Sequence, residues 1–139
     1  MTDNPVSLTI QSDINEIPRV SSALETVMHD HGFTEEDILD TQLAVEEAVT
    51  NIIMHGYQGT GGEIVVLCRA GPGIIEIQLE DRAVPFNPLS IPEPDLAGDI
   101  EERRIGGLGI FLVRQVMDEV EYRFEDGKNI LRLTKRKTV

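Results

Sequence analysis

The chain has 139 residues, 12 Lys plus Arg against 25 Asp plus Glu, a formal charge of −13 and one cysteine. That length suits one domain able to bury a core without staples, and the charge argues against direct nucleic-acid binding, which relies on clustered cations. Lone Cys68 excludes an internal disulfide framework, and "MTDNPVSLTI" carries no secretory signal; with no apolar run of membrane-span length, the expectation is a soluble cytoplasmic protein without a membrane partner.

"VSLTIQS" alternates Val6, Leu8 and Ile10 and predicts a strand with one buried face. Ile17, Val20, Leu24, Val27, Met28 and His31 keep helical spacing, with Gly32 placed to end the helix. Thr34 opens "TEED", a hydroxyl cap followed by acidic residues at the positive end of a helix dipole, and the helix it begins should run to about Gly56. "GEIVVLCRA" and "GIIEIQLED", separated by Gly71, Pro72 and Gly73, predict a hairpin. From Arg82 to Ile105 periodicity is weak and Pro85, Pro88, Pro92 and Pro94 cluster, which predicts a long irregular loop. "GGLGIFLVRQVMDEV" restores helical spacing, and "VEYRF" and "NILRLTK", joined by Asp126 and Gly127, predict a second hairpin. The order implies a single domain over residues 1–139, an α+β two-layer sandwich with about three helices on one face of a mostly antiparallel mixed sheet.

Three stretches carry polar residues of interest. In "EEAVTNIIMHG", Glu47, Asn51 and His55 recur every four residues and so share one narrow stripe of the helix. Leu43, Ala44, Val45, Ala48, Val49, Ile52, Ile53 and Met54 surround that stripe, which predicts its burial. Such a stripe either caps interior polar groups, with His55 as a satisfied histidine, or forms a site. In the site reading Asn51 offers an oxygen to Mg²⁺ and Glu47 accepts a proton from an attacking hydroxyl. In "EDRAVPF", Asp81 is either a turn residue or a fixed carboxylate for the amino group of adenine. In "RRIGGLGIFLV", Gly106, Gly107 and Gly109 precede a helix whose free N–H groups suit an anion, with Arg103 and Arg104 beside them. In a chain this acidic, phosphate has to be held by local devices of that kind.

Together, "EEAVTNIIMHGY", "EDRAVPFNPL" and "GGLGIFLVRQVMDEVEYRF" resemble the nucleotide-binding boxes of the GHKL ATPase superfamily, which includes gyrase and sensor histidine kinases. More closely, they are similar to those of bacterial anti-sigma factor serine/threonine kinases, over about Ser7 to Lys135. The resemblance implies ATP and Mg²⁺ as cofactors, Glu47 as general base, Asn51 as magnesium ligand and Asp81 as adenine contact. It further implies phosphate contacts at Arg104, Gly106, Gly107, Leu108 and Gly109, an adenine-side contact at Thr134, and an ATP lid over residues 85–105. The family has glycine two residues after the aspartate, where this chain has Ala83.

The function implied is an anti-sigma regulator with ATP-dependent kinase activity, a homodimer whose partners are a sigma factor and the antagonist protein it phosphorylates. A histidine-kinase catalytic domain is an alternative, although it requires a phosphoacceptor helix pair for which this length leaves no room. A non-catalytic, ATP-gated binding module is a third reading, which has no need of Glu47.

Overall fold

The computed structural model describes residues 5–58, 60–90 and 108–138. Five strands, β1 (Val6–Gln11), β2 (Glu63–Gly71), β3 (Ile74–Asp81), β4 (Glu119–Glu125) and β5 (Lys128–Arg136), form one sheet in the order β1-β2-β3-β5-β4. Every pairing is antiparallel, so among the described residues the sheet is not mixed. Three helices accompany it: α1 (Ile17–Asp30), α2 (Glu35–Asn51) and α3 (Leu108–Val116).

Local chemistry sets the boundaries. Thr34 is extended and its side chain accepts the Asp37 N–H, capping α2. Gly32, at φ +75°, reverses the chain after α1, where Phe33 N–H reaches back to the Met28 carbonyl. Asp126 and Gly127 both take positive φ, 52° and 77°, as a two-residue turn matched to strand twist demands.

The core lies between sheet and helices. Alternate residues of the inner strands, Ile64, Val66, Cys68, Ile75, Ile77, Leu79, Leu131 and Leu133, are buried against Val20, Leu24, Met28, Val45, Val49 and Val113. Each fully buried large side chain contributes about 1.5–3 kcal/mol. The other face, with Glu76, Glu121 and Arg132 paired across strands, is charged.

Two expectations need correction. The predicted helix to Gly56 is α-helical only to Asn51; Ile52–Gly56 form a π-helical turn, closed by Tyr57 N–H on the Ile52 carbonyl at 2.9 Å. Tyr57 is anchored beyond it: its hydroxyl donates to the Glu63 carbonyl at 2.7 Å and accepts the Arg82 N–H at 3.0 Å. The wider turn is what carries the tyrosine to both strand ends. Nor is the helical stretch from Glu35 to Gly56 buried all round, since Leu43 of α2 and Met54 of the π-helical turn are 37% and 59% exposed. The sheet covers one side of α2 and α1 and α3 its flanks, which leaves an outer face open.

Candidate functional site

Adjacent glutamates on α2 point to different neighbours. Glu46 accepts the Ser21 hydroxyl of α1 at 2.7 Å, clasping the two helices together. Glu47 lies against the start of α3, where a Cβ on Gly109 would stand 2.7 Å from Glu47 Oε2. Glycine at position 109 is therefore what admits the carboxylate to that helix end.

One turn further on, Asn51 lines a cavity of about 30 Å³ with Ala48, Ile52, Asp81, Phe86, Ile110 and Tyr122 among its walls. Asp81 ends β3 and is 5% exposed. Its Oδ1 accepts the Ala83 N–H at 3.0 Å and the Asn129 amide at 2.9 Å. Among the described residues no hydrogen bond falls on Oδ2, which leaves that oxygen for an incoming donor. Burial raises the Asp81 pKa, opposed by the bonds from Asn129 and Ala83.

Asn129 is the organising residue that sequence reasoning missed. It is 6% exposed and sits opposite Asp81 in the β3–β5 register. Besides Asp81, its amide NH₂ reaches the carbonyls of Ala83 and Val84 at 3.3 and 3.1 Å, while its oxygen accepts the Phe86 N–H at 3.1 Å. The Tyr122 hydroxyl donates to the same oxygen at 2.5 Å. One side chain thus holds residues 83–86, the described start of the loop that walls the cavity. A polar residue beginning the inward alternation Asn129, Leu131, Leu133 was the available signal, but the pairing that sets it beside Asp81 is non-local.

Thr134 stands apart from the other expected site residues. It lies opposite Glu76, an odd number of residues from Asn129, and so belongs to the face of the sheet away from the helices. It is not among the residues lining the cavity. His55 is exposed and stands beside Phe86, their ring centroids 6.3 Å apart. Ala83 has no positive φ and is not among the cavity walls; a Cβ at Gly56 would lie 3.2 Å from its methyl, so Ala83 packs on Gly56 instead. Arg104, Gly106, Gly107 and the expected lid beyond residue 90 lie outside the described residues, whereas Leu108 and Gly109 open α3.

The residues fit a nucleotide in kind. Asp81 offers a free acceptor, Asn51 an amide oxygen in the same cavity, and α3 begins beside Glu47. No cluster of three or more His, Cys, Asp or Glu that could hold a metal occurs among the described residues.

An antiparallel sheet backed by helices, with a cleft between its inner face and the end of α2, makes this an ATPase-type α+β sandwich. Residues 10–135 match the family described as the histidine kinase-like ATPase domain, and the chain belongs to that family. Among its relatives is the serine-protein kinase RsbW of Listeria monocytogenes, 34% identical over 105 residues, 72% of this chain and 67% of the relative. The serine-protein kinase RsbW of Bacillus thuringiensis is 25% identical over 130 residues, 91% and 81% of the two chains. A crystal structure of the RsbU and RsbW domains of a Mycobacterium tuberculosis protein shares the fold, with a TM-score of 0.68 and 24% identity over 97% of this chain. This chain spans only 33% of that one. No described helix is long and apolar enough to cross a membrane.

Proposed function

We propose that the chain is an ATP-dependent serine/threonine protein kinase that doubles as an anti-sigma factor. It acts in the cytoplasm as a homodimer, binds a sigma factor, and phosphorylates an antagonist protein in a partner-switching system. Neither nucleic acid nor membrane takes part directly. The observation that carries this reading is the cavity shared by Asp81 and Asn51, with Glu47 one helical turn before Asn51 and beside the start of α3, in a family whose members include named serine-protein kinases.

In this reading Asp81 accepts the adenine amino group on Oδ2, and Asn129 keeps that oxygen turned to the base by occupying Oδ1. Asn51 offers its amide oxygen to Mg²⁺, and the start of α3 at Leu108 and Gly109 faces the phosphates, with Arg104, Gly106 and Gly107 before it. Mg-ATP supplies the transferable phosphoryl group, its charge neutralised by the metal. Glu47 takes the proton from the acceptor hydroxyl as that oxygen forms its bond to phosphorus.

The test is transfer of labelled γ-phosphate from Mg-ATP to the purified antagonist protein, together with calorimetric titration of Mg-ATP. Label on a serine or threonine is the expected result. Binding without transfer would leave a nucleotide-gated binding module, and no binding at millimolar ATP would remove the nucleotide reading altogether.

A further inference from the structure

Eight large apolar side chains are exposed among the described residues: Val6, Ile14, Leu39, Leu43, Met54, Ile74, Val84 and Phe124. Five of these stand on separate elements. Leu39, Leu43 and Met54 share α2 and its π-helical turn. Leu39 is 64% exposed and Leu43 37%, and neither belongs to the core.

The two leucines lie on the same four-residue line as Glu47 and Asn51. Each step along that line turns by about 40° on the helix surface, so the line winds from solvent inward. It is open at Leu39, less so at Leu43, half-buried at Glu47 beside Gly109, and inside the cavity wall at Asn51. The apolar surface therefore leads up to the carboxylate. The charged side chains of α2 itself are all acidic, with Glu35 and Glu36 in the first turn, Asp40 beside Leu39 and Glu47 beyond Leu43, and no Lys or Arg in the helix; the cation that approaches them is Lys135 of β5, 3.8 Å from Asp40.

A hydroxyl on a folded protein can reach Glu47 only if the surface around that hydroxyl rests on the surface around Glu47. Building on the kinase reading above, we propose that Leu39 and Leu43 form the docking surface for the phosphoacceptor protein, which presents an apolar patch rimmed by lysine or arginine beside its acceptor hydroxyl. Buried apolar contacts hold the complex, while the acidic rim speeds and orients its formation.

The experiment compares Leu39→Ala/Leu43→Ala and Leu39→Lys/Leu43→Lys with Ile14→Lys, which alters an exposed apolar residue elsewhere. Phosphorylation kinetics with the purified antagonist protein, Mg-ATP titration and sedimentation are measured on each. The expected result is a KM for the antagonist raised about tenfold or more in both leucine variants, as loss of a docking anchor implies. Mg-ATP affinity, kcat and sedimentation stay at wild-type values, Ile14→Lys behaves as wild type, and added salt raises the wild-type KM. An unchanged KM in both leucine variants overturns the docking surface while leaving the kinase reading intact. A loss carried by kcat or Mg-ATP affinity overturns it too, as does a fall from dimer to monomer, which would make the leucines a self-interface. If the wild type transfers no phosphate, the kinase reading falls and takes this inference with it.

Discussion

Asp81 accepts a hydrogen bond from an adenine amino group most strongly when ionised, yet burial holds its carboxyl above the usual carboxylate range. Mg-ATP affinity should therefore decline on acidification at a higher pH than an ordinary aspartate near about 3.9 would give. Titrations from about pH 7 to about pH 5 on wild type and Asp81→Asn separate this from protonation of the phosphates, which both share. Identical acid profiles for the two proteins would remove Asp81 from adenine recognition. Glu47 calls for a different measurement: Glu47→Ala should slow phosphoryl transfer by about 10²- to 10⁴-fold while leaving Mg-ATP affinity within a few-fold. Wild-type transfer by that variant would exclude Glu47 as the base. The stripe of Glu47 and Asn51 was legible from four-residue spacing alone, since helix geometry converts spacing into a shared face. Asn129 was not, because its importance comes from a strand pairing across 48 residues of chain.

Between elements, the approach of α2 to α3 is set by the absence of a side chain at Gly109. Replacing it with alanine favours helix intrinsically by about 0.5–1 kcal/mol, yet the added methyl would meet the Glu47 carboxylate. Gly109→Ala should accordingly melt no lower than wild type while transferring phosphate more slowly, a separation that thermal denaturation and a kinase assay read together. Parallel loss of both would point to a packing defect. The end of β5 is tied to the first turn of α2 by Asp37, 2% exposed, which accepts the Thr138 N–H at 2.8 Å and its hydroxyl at 2.7 Å. Burial raises the Asp37 pKa, but the two bonds from Thr138, the charge of Lys135 and a bond from Thr34 outweigh it, and the net shift is downward. With the folded pKa below the unfolded one, the unfolded state takes up the proton first as pH falls. The stabilisation is thus present above the unfolded value of about 3.9 and disappears as pH falls through the folded value. Asp37→Ala should cost about 1–3 kcal/mol at neutral pH, and denaturant melts in acid should show that difference shrinking. A difference independent of pH would assign the cost to packing alone. Caps and turns such as Thr34, Gly32 and Asp126-Gly127 could be read because their chemistry is local. The π-helical turn could not, as the demand that widens it comes from Tyr57 reaching Glu63 and Arg82.

The fold class followed from element order and alternation, but the strand order did not. Placing β5 between β3 and β4 requires knowing that Asp81 faces Asn129, and no short-range pattern in "EDGKNILRL" states it. Net charge acts on the molecule in its entirety. With −13 on 139 residues, like charges repel more strongly when the chain is compact, so raising ionic strength from about 0.01 M to about 0.15 M should raise the melting temperature by screening. Mg-ATP should raise it further, by the equivalent of about 2.7 kcal/mol at a hundred times its dissociation constant. Calorimetry at two salt concentrations, with and without Mg-ATP, checks both, and a melting temperature lowered by salt would contradict the repulsion argument.

The cavity beside Asp81 holds about 30 Å³, whereas small-molecule pockets run to roughly 300–1,000 Å³. A purine needs more room than that cavity offers, and the segment over residues 83–86 that Asn129 pins is the part of its wall we expect to give way. Nucleotide loading is then expected to be limited by how often that segment moves aside. In stopped-flow mixing with a fluorescent ATP analogue the observed rate should climb with concentration and then level off at the opening frequency, whatever the final affinity. Cutting the Tyr122 bond to Asn129 with Tyr122→Phe should lift that plateau, so a hydroxyl that touches no phosphate would act as the latch governing how often the enzyme can be charged.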